Sequence, residues 1–334
     1  MEKVIQLLEE GVKNGVYPGG VIAIGNKEGE FFRHAVGDAT FDGVYDIASL
    51  TKVVSTTMIT LQFIQDGKLS LYDKLQDFFE SVPSNMTQIT ILDLMTHRSG
   101  LPAFHDLATL TNHPNEVVEA IFHKGLVYET NQDVIYSCMG FIVLGRILER
   151  VGKAPLNELF EIYVAKPLNL SETGYALEGV NFVPTSKDLA PGFIHDPNAR
   201  YLNGVSGNAG LFSTLSDLSR VTCMLANRGE FENLTYIHPI LFESTLVNYS
   251  PKGCEPRGIG FSLKGEDVCP CGDLFDFGSY GHTGFTGTSL WVDSKTGTYV
   301  VFLTNRVYES DMNTKIIRFR RLLHNCIMNE LRWG

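Results

Sequence analysis

Ser49-x-x-Lys52 lies in the stretch DIASLTKVVSTTMITLQFIQDGK, from Asp46 to Lys68. It puts a hydroxyl and an amine one turn apart if a helix begins at about Ala48 to Leu50. A serine at a helix start meets the positive end of the macrodipole, which favours negative charge on its oxygen as it attacks. A neighbouring lysine accepts the serine proton if desolvation or nearby positive charge lowers its pKa. Chance alone supplies about one Ser-x-x-Lys in a chain of this size, so a polar helix start with a solvated lysine stands as the alternative. Tyr136, in VIYSCMGFIVLG, sits where the loop ETNQD runs into an apolar helix; its phenol either shares the proton load with a lysine or packs in the core. In SYGHTGFTGTSLWVDS, Gly281, Gly284 and Gly287 interrupt a strand, a mark of a bulge or of close backbone approach to a ligand. Such an edge supplies a backbone N–H to an oxyanion, and His282 is either directed into the same space or a hydrogen-bonded structural residue.

The elements that must position these residues follow from periodicity. Val4, Ile5, Leu7, Leu8 and Val12 recur at helical spacing in the first segment, with acids between them, and no apolar run ending in a small-residue cleavage site precedes the fold. That reading predicts a helix rather than a signal peptide, and a cytoplasmic protein. GGVIAIGN and EFFRHAVGDAT, joined by NKEG, predict a β-hairpin. From Ser49 to about Gly229 the pattern is mostly helical, with Gly67, Gly100, Gly125 and Gly152 each closing a periodic segment, and LSDLSRVTCMLANRG running from a cap at Ser216 to Gly229. Strand character returns in GIGFSLK, SYGHTGF, TSLWVDS and TYVVFLTNRV, before a last helix in NTKIIRFRRLLHNCIMNEL. The fold expected is α/β of the α+β type: an antiparallel sheet from residues 1–48 and 255–334, flanked by terminal helices, with a mainly helical subdomain over 49–254 and a cleft at the seam.

Composition excludes several classes. At 334 residues and 44% hydrophobic, the chain can bury a large core, and a formal charge of −11 provides no overall basic field for nucleic acid. No segment approaches the roughly 20 apolar residues of a membrane span. The six cysteines are too sparse for a disulfide framework; Cys254, Cys269 and Cys271 could offer thiolates to a metal, but a fourth ligand at finger spacing is missing, so neither metal nor cofactor is expected. Gly-x-Ser-x-Gly, His-Glu-x-x-His and the phosphate-cradling Gly-x-x-x-x-Gly-Lys are all absent.

Taken in order, Ser-x-x-Lys, Tyr-Ser-Cys and His-Thr-Gly resemble the three motifs of the serine β-lactamase and penicillin-binding superfamily, and within it the class C β-lactamase-like branch with its DD-peptidases, D-aminopeptidases and family VIII carboxylesterases. GKLSLYDKLQDFF, LDLMTHRSGLPAF and GNAGLFSTLSDLSRVTCMLANRG extend the resemblance from about Gly15 to Val307. It implies a β-lactamase/transpeptidase-like fold and an acyl-enzyme on Ser49, with Lys52 and Tyr136 as proton relay and the backbone N–H groups of Ser49 and Phe285 as oxyanion hole. Cys138, His282, Thr283 and Gly284 would meet the substrate.

Two departures bear on what that substrate is. Cys138 stands where an amide-bearing asparagine is usual, and a thiol cannot replace its two donors. His282 stands where lysine is usual and holds a carboxylate less firmly at neutral pH. Both favour small esters or D-amino-acid amides and peptides over β-lactams. APGFIHDPNARYLNGVSGNAGLF resembles low-affinity penicillin-binding carboxypeptidases instead, and its His195, Asp196 and Asn198 would line the cleft rim or brace a loop. Arg306 would pair with an anionic group of the substrate or form a structural ion pair. A penicillin-binding DD-carboxypeptidase, a weak β-lactamase and a non-catalytic ligand-binding relative remain as alternatives.

Overall fold

The computed structural model describes residues 1–331; residues 332–334, the end of the second expected sheet segment, lie outside the described residues. The chain opens with helix α1 (Glu2–Lys13), which turns Val4, Leu8 and Gly11 inward. A hairpin of β1 (Gly19–Asn26) and β2 (Gly29–Gly37) follows. The later strands are β3 (Ser262–Leu263), β4 (Tyr280–Thr283), β5 (Ser289–Val292) and β6 (Tyr299–Thr304). Together they form one antiparallel sheet in the order β2-β1-β6-β5-β4-β3. β1 and β6, from opposite ends of the chain, pair from Gly20↔Thr304 to Gly25↔Tyr299.

The centre of this sheet is buried on both faces, so its central strands read as continuous apolar runs and alternate only in the core they enter. Ile22, Ile24, Trp291, Val300 and Phe302 enter a core with α1 and the last helix, α5 (Lys315–Glu330). Val21, Ala23, Leu290, Val301 and Leu303 enter the other, larger core, where α4 (Leu215–Ala226) packs on the sheet. The same core takes in α2 (Thr57–Gln65) and α3 (Cys138–Gly152).

Several boundaries differ from the sequence reading. α4 is capped by Thr214, whose hydroxyl accepts from Asp217 N at 3.3 Å, rather than by Ser216. The segment ending at Gly100 holds only one short helix, Ile91–Met95, because His97 takes a φ of +60° and breaks the run. GIGFSLK keeps just two strand residues, since Gly260 at φ +81° turns the backbone out of the ladder. By contrast α3 runs over its expected span, with the Ser137 hydroxyl accepting from Gly140 N at 3.0 Å. No described helix is long and apolar enough to cross a membrane.

Candidate active site

Ser49 follows a strained turn. Ala48 adopts φ +47°, in the left-handed region that costs a residue with a Cβ of order 1 kcal/mol or more. Buried Asp46 over-determines that turn: Oδ1 accepts from Ala48 N at 2.8 Å and Oδ2 from His195 N at 2.7 Å. Burial raises the pKa of this carboxyl, and the two N–H groups pull it back only in part. Helical backbone starts at Leu50 and at once widens into a π turn over Lys52–Thr56, an irregularity found most often at functional sites.

Lys52 is fully buried, and its ammonium donates to three acceptors: Ser49 Oγ at 3.1 Å, the Asn208 carbonyl at 2.9 Å and Cys138 Sγ at 3.5 Å. Burial alone lowers its pKa, but its acidic neighbours, Cys138 and then Tyr136, outweigh burial and hold it above the ordinary lysine value. The lowering that would make Lys52 a ready base is therefore outweighed, and the sequence could not show how closely Cys138 approaches. The Lys52 Nζ lies 4.8 Å from the centre of the Tyr136 ring. The Tyr136 hydroxyl is buried without a hydrogen-bond partner among the described residues, and burial raises its pKa more than Lys52 lowers it. Two imidazoles flank this ring, His97 at 4.6 Å and His282 at 5.6 Å between centres.

His282 is 4% exposed, and burial followed by the charges of Arg257 and Lys52 lowers its pKa to about 3. It is a neutral imidazole at physiological pH, with Nδ1 2.9 Å from Thr283 O. Two fixed cations and a dry environment oppose the proton.

A cavity of about 420 Å³ brings Ser49, Tyr136, His282, Thr283, Gly284 and Phe285 together, and Arg306 reaches its wall. The turn after β4 is stapled to the segment entering Ser49. Thr286 Oγ1 donates to Asp46 O at 2.7 Å and Thr288 Oγ1 to Ile47 O at 3.1 Å. Gly284 fits because a Cβ there would stand 2.6 Å from Ile47 O. Neither Ser49 N–H nor Phe285 N–H makes a hydrogen bond within the chain among the described residues.

Other residues marked from sequence serve elsewhere. The Arg306 guanidinium donates to Phe285 O at 2.7 Å, to Asp311 O at 3.1 Å and to Asn313 O, so it braces the Phe285 turn. His195 stacks on Phe285 at 5.1 Å and bonds Asp311 at 2.8 Å. Asp196 caps the short helix Pro197–Tyr201 through Ala199 N at 2.8 Å. Asn198 is fully buried between Leu107 N and His105 O, away from the cavity wall. Cys269 and Cys271 face each other at 2.9 Å while Cys254 turns to Asp133. No three metal-ligating side chains converge among the described residues.

Three participants went unmarked in the sequence. The Asn208 carbonyl reaches Lys52 because Gly207 lies on α3, where a Cβ would stand 2.1 Å from Phe141 O; the glycines of GVSGNAG were the available signal. His97 holds Ser137 N at 3.0 Å through Nδ1, fixing the residue after Tyr136. Arg257, 6% exposed, places its guanidinium 5.5 Å from the Tyr136 ring centre. A single cation in a glycine-rich stretch gives no sequence signal of that kind.

A half-buried serine hydroxyl beside a buried lysine, an adjoining phenol and two unengaged N–H groups are the parts that a serine hydrolase needs. The chain belongs to the beta-lactamase family, whose model matches residues 4–324. An N-acetylmuramyl-L-alanine amidase of Bacillus subtilis (strain 168) is 26% identical, covering 92% of this chain and 81% of its own. A Salmonella gallinarum protein provisionally named a D-alanyl-D-alanine carboxypeptidase is 27% identical, covering 83% and 73% respectively. Among solved structures, EstCE1, a hydrolase with promiscuous acyltransferase activity, superposes with a TM-score of 0.76 at 20% identity, over 97% of this chain and 98% of that one.

Proposed function

We propose that Ser49 is acylated by small esters or by D-amino-acid amides and peptides, and that water then releases the acid. The observation that carries this reading is the set of three partners around Lys52. As a neutral amine, Lys52 keeps two N–H groups on Asn208 O and Cys138 Sγ and turns its lone pair to the Ser49 hydroxyl. Ser49 Oγ attacks the carbonyl carbon as its proton passes to Lys52. The carbonyl π electrons move to oxygen, where the N–H groups of Ser49 and Phe285 hold the charge. On collapse, Tyr136, recharged from Lys52, protonates the departing alkoxide or amine. Deacylation repeats the steps with water.

Esterase chemistry is favoured over β-lactam chemistry. Cys138 offers no amide donors, and the neutral His282 offers no charge to a penicillin carboxylate. The relatives named amidase and carboxypeptidase support peptide-like amides as the second substrate class. Six free cysteines support a cytoplasmic setting. Steady-state turnover of p-nitrophenyl acetate, a D-alanyl dipeptide and benzylpenicillin tests the reading: rapid ester turnover is expected, whereas a long-lived penicilloyl adduct without ester turnover would replace it with a penicillin-binding role.

A further inference from the structure

His282 is neutral and the Arg306 guanidinium is occupied by backbone carbonyls, so neither offers its charge to an anionic substrate. Arg257 is. Its side chain is 8% exposed, it lines the cavity with Ser49 and Tyr136, and its Nε is buried without a hydrogen-bond partner among the described residues. A guanidinium offers five N–H donors, and unfilled donors on a nearly dry cation are costly. The present partner is Glu255, whose Oε2 lies 2.8 Å from Arg257 Nη2, while its Oε1 accepts from Ser262 Oγ at 3.3 Å. Glu255 also lines the cavity, and so one carboxylate of the chain itself sits there with both oxygens held.

The two partners differ in freedom. Arg257 is pinned through its backbone N–H to Asn248 Oδ1 at 3.3 Å and Ser250 Oγ at 3.0 Å. The Glu255 side chain is 54% exposed, and solvent weakens its hold.

We propose that Glu255 is a built-in stand-in for a substrate carboxylate. An acid-bearing ester or amide displaces it from Arg257 and Ser262, and Glu255 thereby sets the selectivity between acidic and neutral substrates. This deepens the acyl-serine reading and rests on it for the word substrate, but its test needs no turnover.

In a Ser49→Ala background, calorimetric titration compares N-acetylglycine with its neutral methyl ester. Glu255→Gln is expected to tighten N-acetylglycine about tenfold relative to the ester, and Arg257→Met to weaken it about tenfold, with partial recovery in Arg257→Lys. Equal shifts for acid and ester, or no acid binding in Glu255→Gln, would overturn the proposal. Glu255→Gln, at an exposed side chain, carries the test alone if Arg257→Met does not fold. Unchanged acid selectivity with intact acylation of Ser49 in the parent protein defeats only this inference; absent acylation with the predicted selectivity defeats only the hydrolase reading.

Discussion

At the scale of residues, the proposed chemistry turns on where protons rest. With Lys52 and Tyr136 both raised above their ordinary values, the resting pair carries one proton too many to act as base. kcat/KM for a neutral ester is therefore expected to climb toward alkaline pH as that proton leaves. His282, lowered to about 3, adds no inflection near pH 6 to 7, so a step there abolished by His282→Gln would contradict its neutral assignment. Lys52→Ala is expected to cut kcat by about 10³-fold, the usual scale for a lost general base, with KM little moved. Cys138→Ala removes only a weak sulfur acceptor, and its kcat is expected to fall less than about tenfold. The serine, lysine and tyrosine were legible in the sequence because side-chain chemistry at a helix start is local. Arg257 and Asn208 were not, since each reaches the site from a distant segment and, in the case of Asn208, through a carbonyl that every residue carries.

At the scale of elements, two threonine hydroxyls join the turn after β4 to the backbone before Ser49 and so hold the proposed oxyanion hole together. Thr288→Val keeps the shape and leaves Ile47 O with the Leu50 N–H alone; about 0.5–1.5 kcal/mol of stability is expected to be lost, with kcat falling while KM holds. A variant that loses stability and keeps kcat, measured by urea unfolding and ester turnover, would show that the staple serves packing alone. The long helix α3 and the hairpin were plain from periodicity. The π turn at Lys52 was not, because one extra residue per turn leaves the apolar spacing of LTKVVSTTMITLQF nearly unchanged. Nor was the early end of the helix before Gly100, which turns on a left-handed histidine.

At the scale of the whole molecule, burial forces several imidazoles to stay neutral. His282 is lowered to about 3 and His324 to about 4, and His97 also falls well below its ordinary value, in each case chiefly by burial. Between about pH 6.5 and these values the unfolded chain binds more protons than the folded one, so stability is full above about 6.5 and falls as pH drops. Asp46 and Asp217, raised by burial, oppose this, since the folded chain takes up their protons before the unfolded one does. The urea midpoint is expected to decline from pH 7 to about 5, less steeply in His324→Gln; a flat profile would contradict it. The antiparallel sheet closed by both chain ends was foreseeable from the strand patterns, whereas its burial by α4 on the second face needed the structure. Acylation of Ser49 is tested by intact mass after exposure to a fluorophosphonate, followed by peptide mapping. One adduct is expected, on the peptide containing Ser49 and absent from Ser49→Ala; no adduct, or one that survives the substitution, would contradict acylation at Ser49.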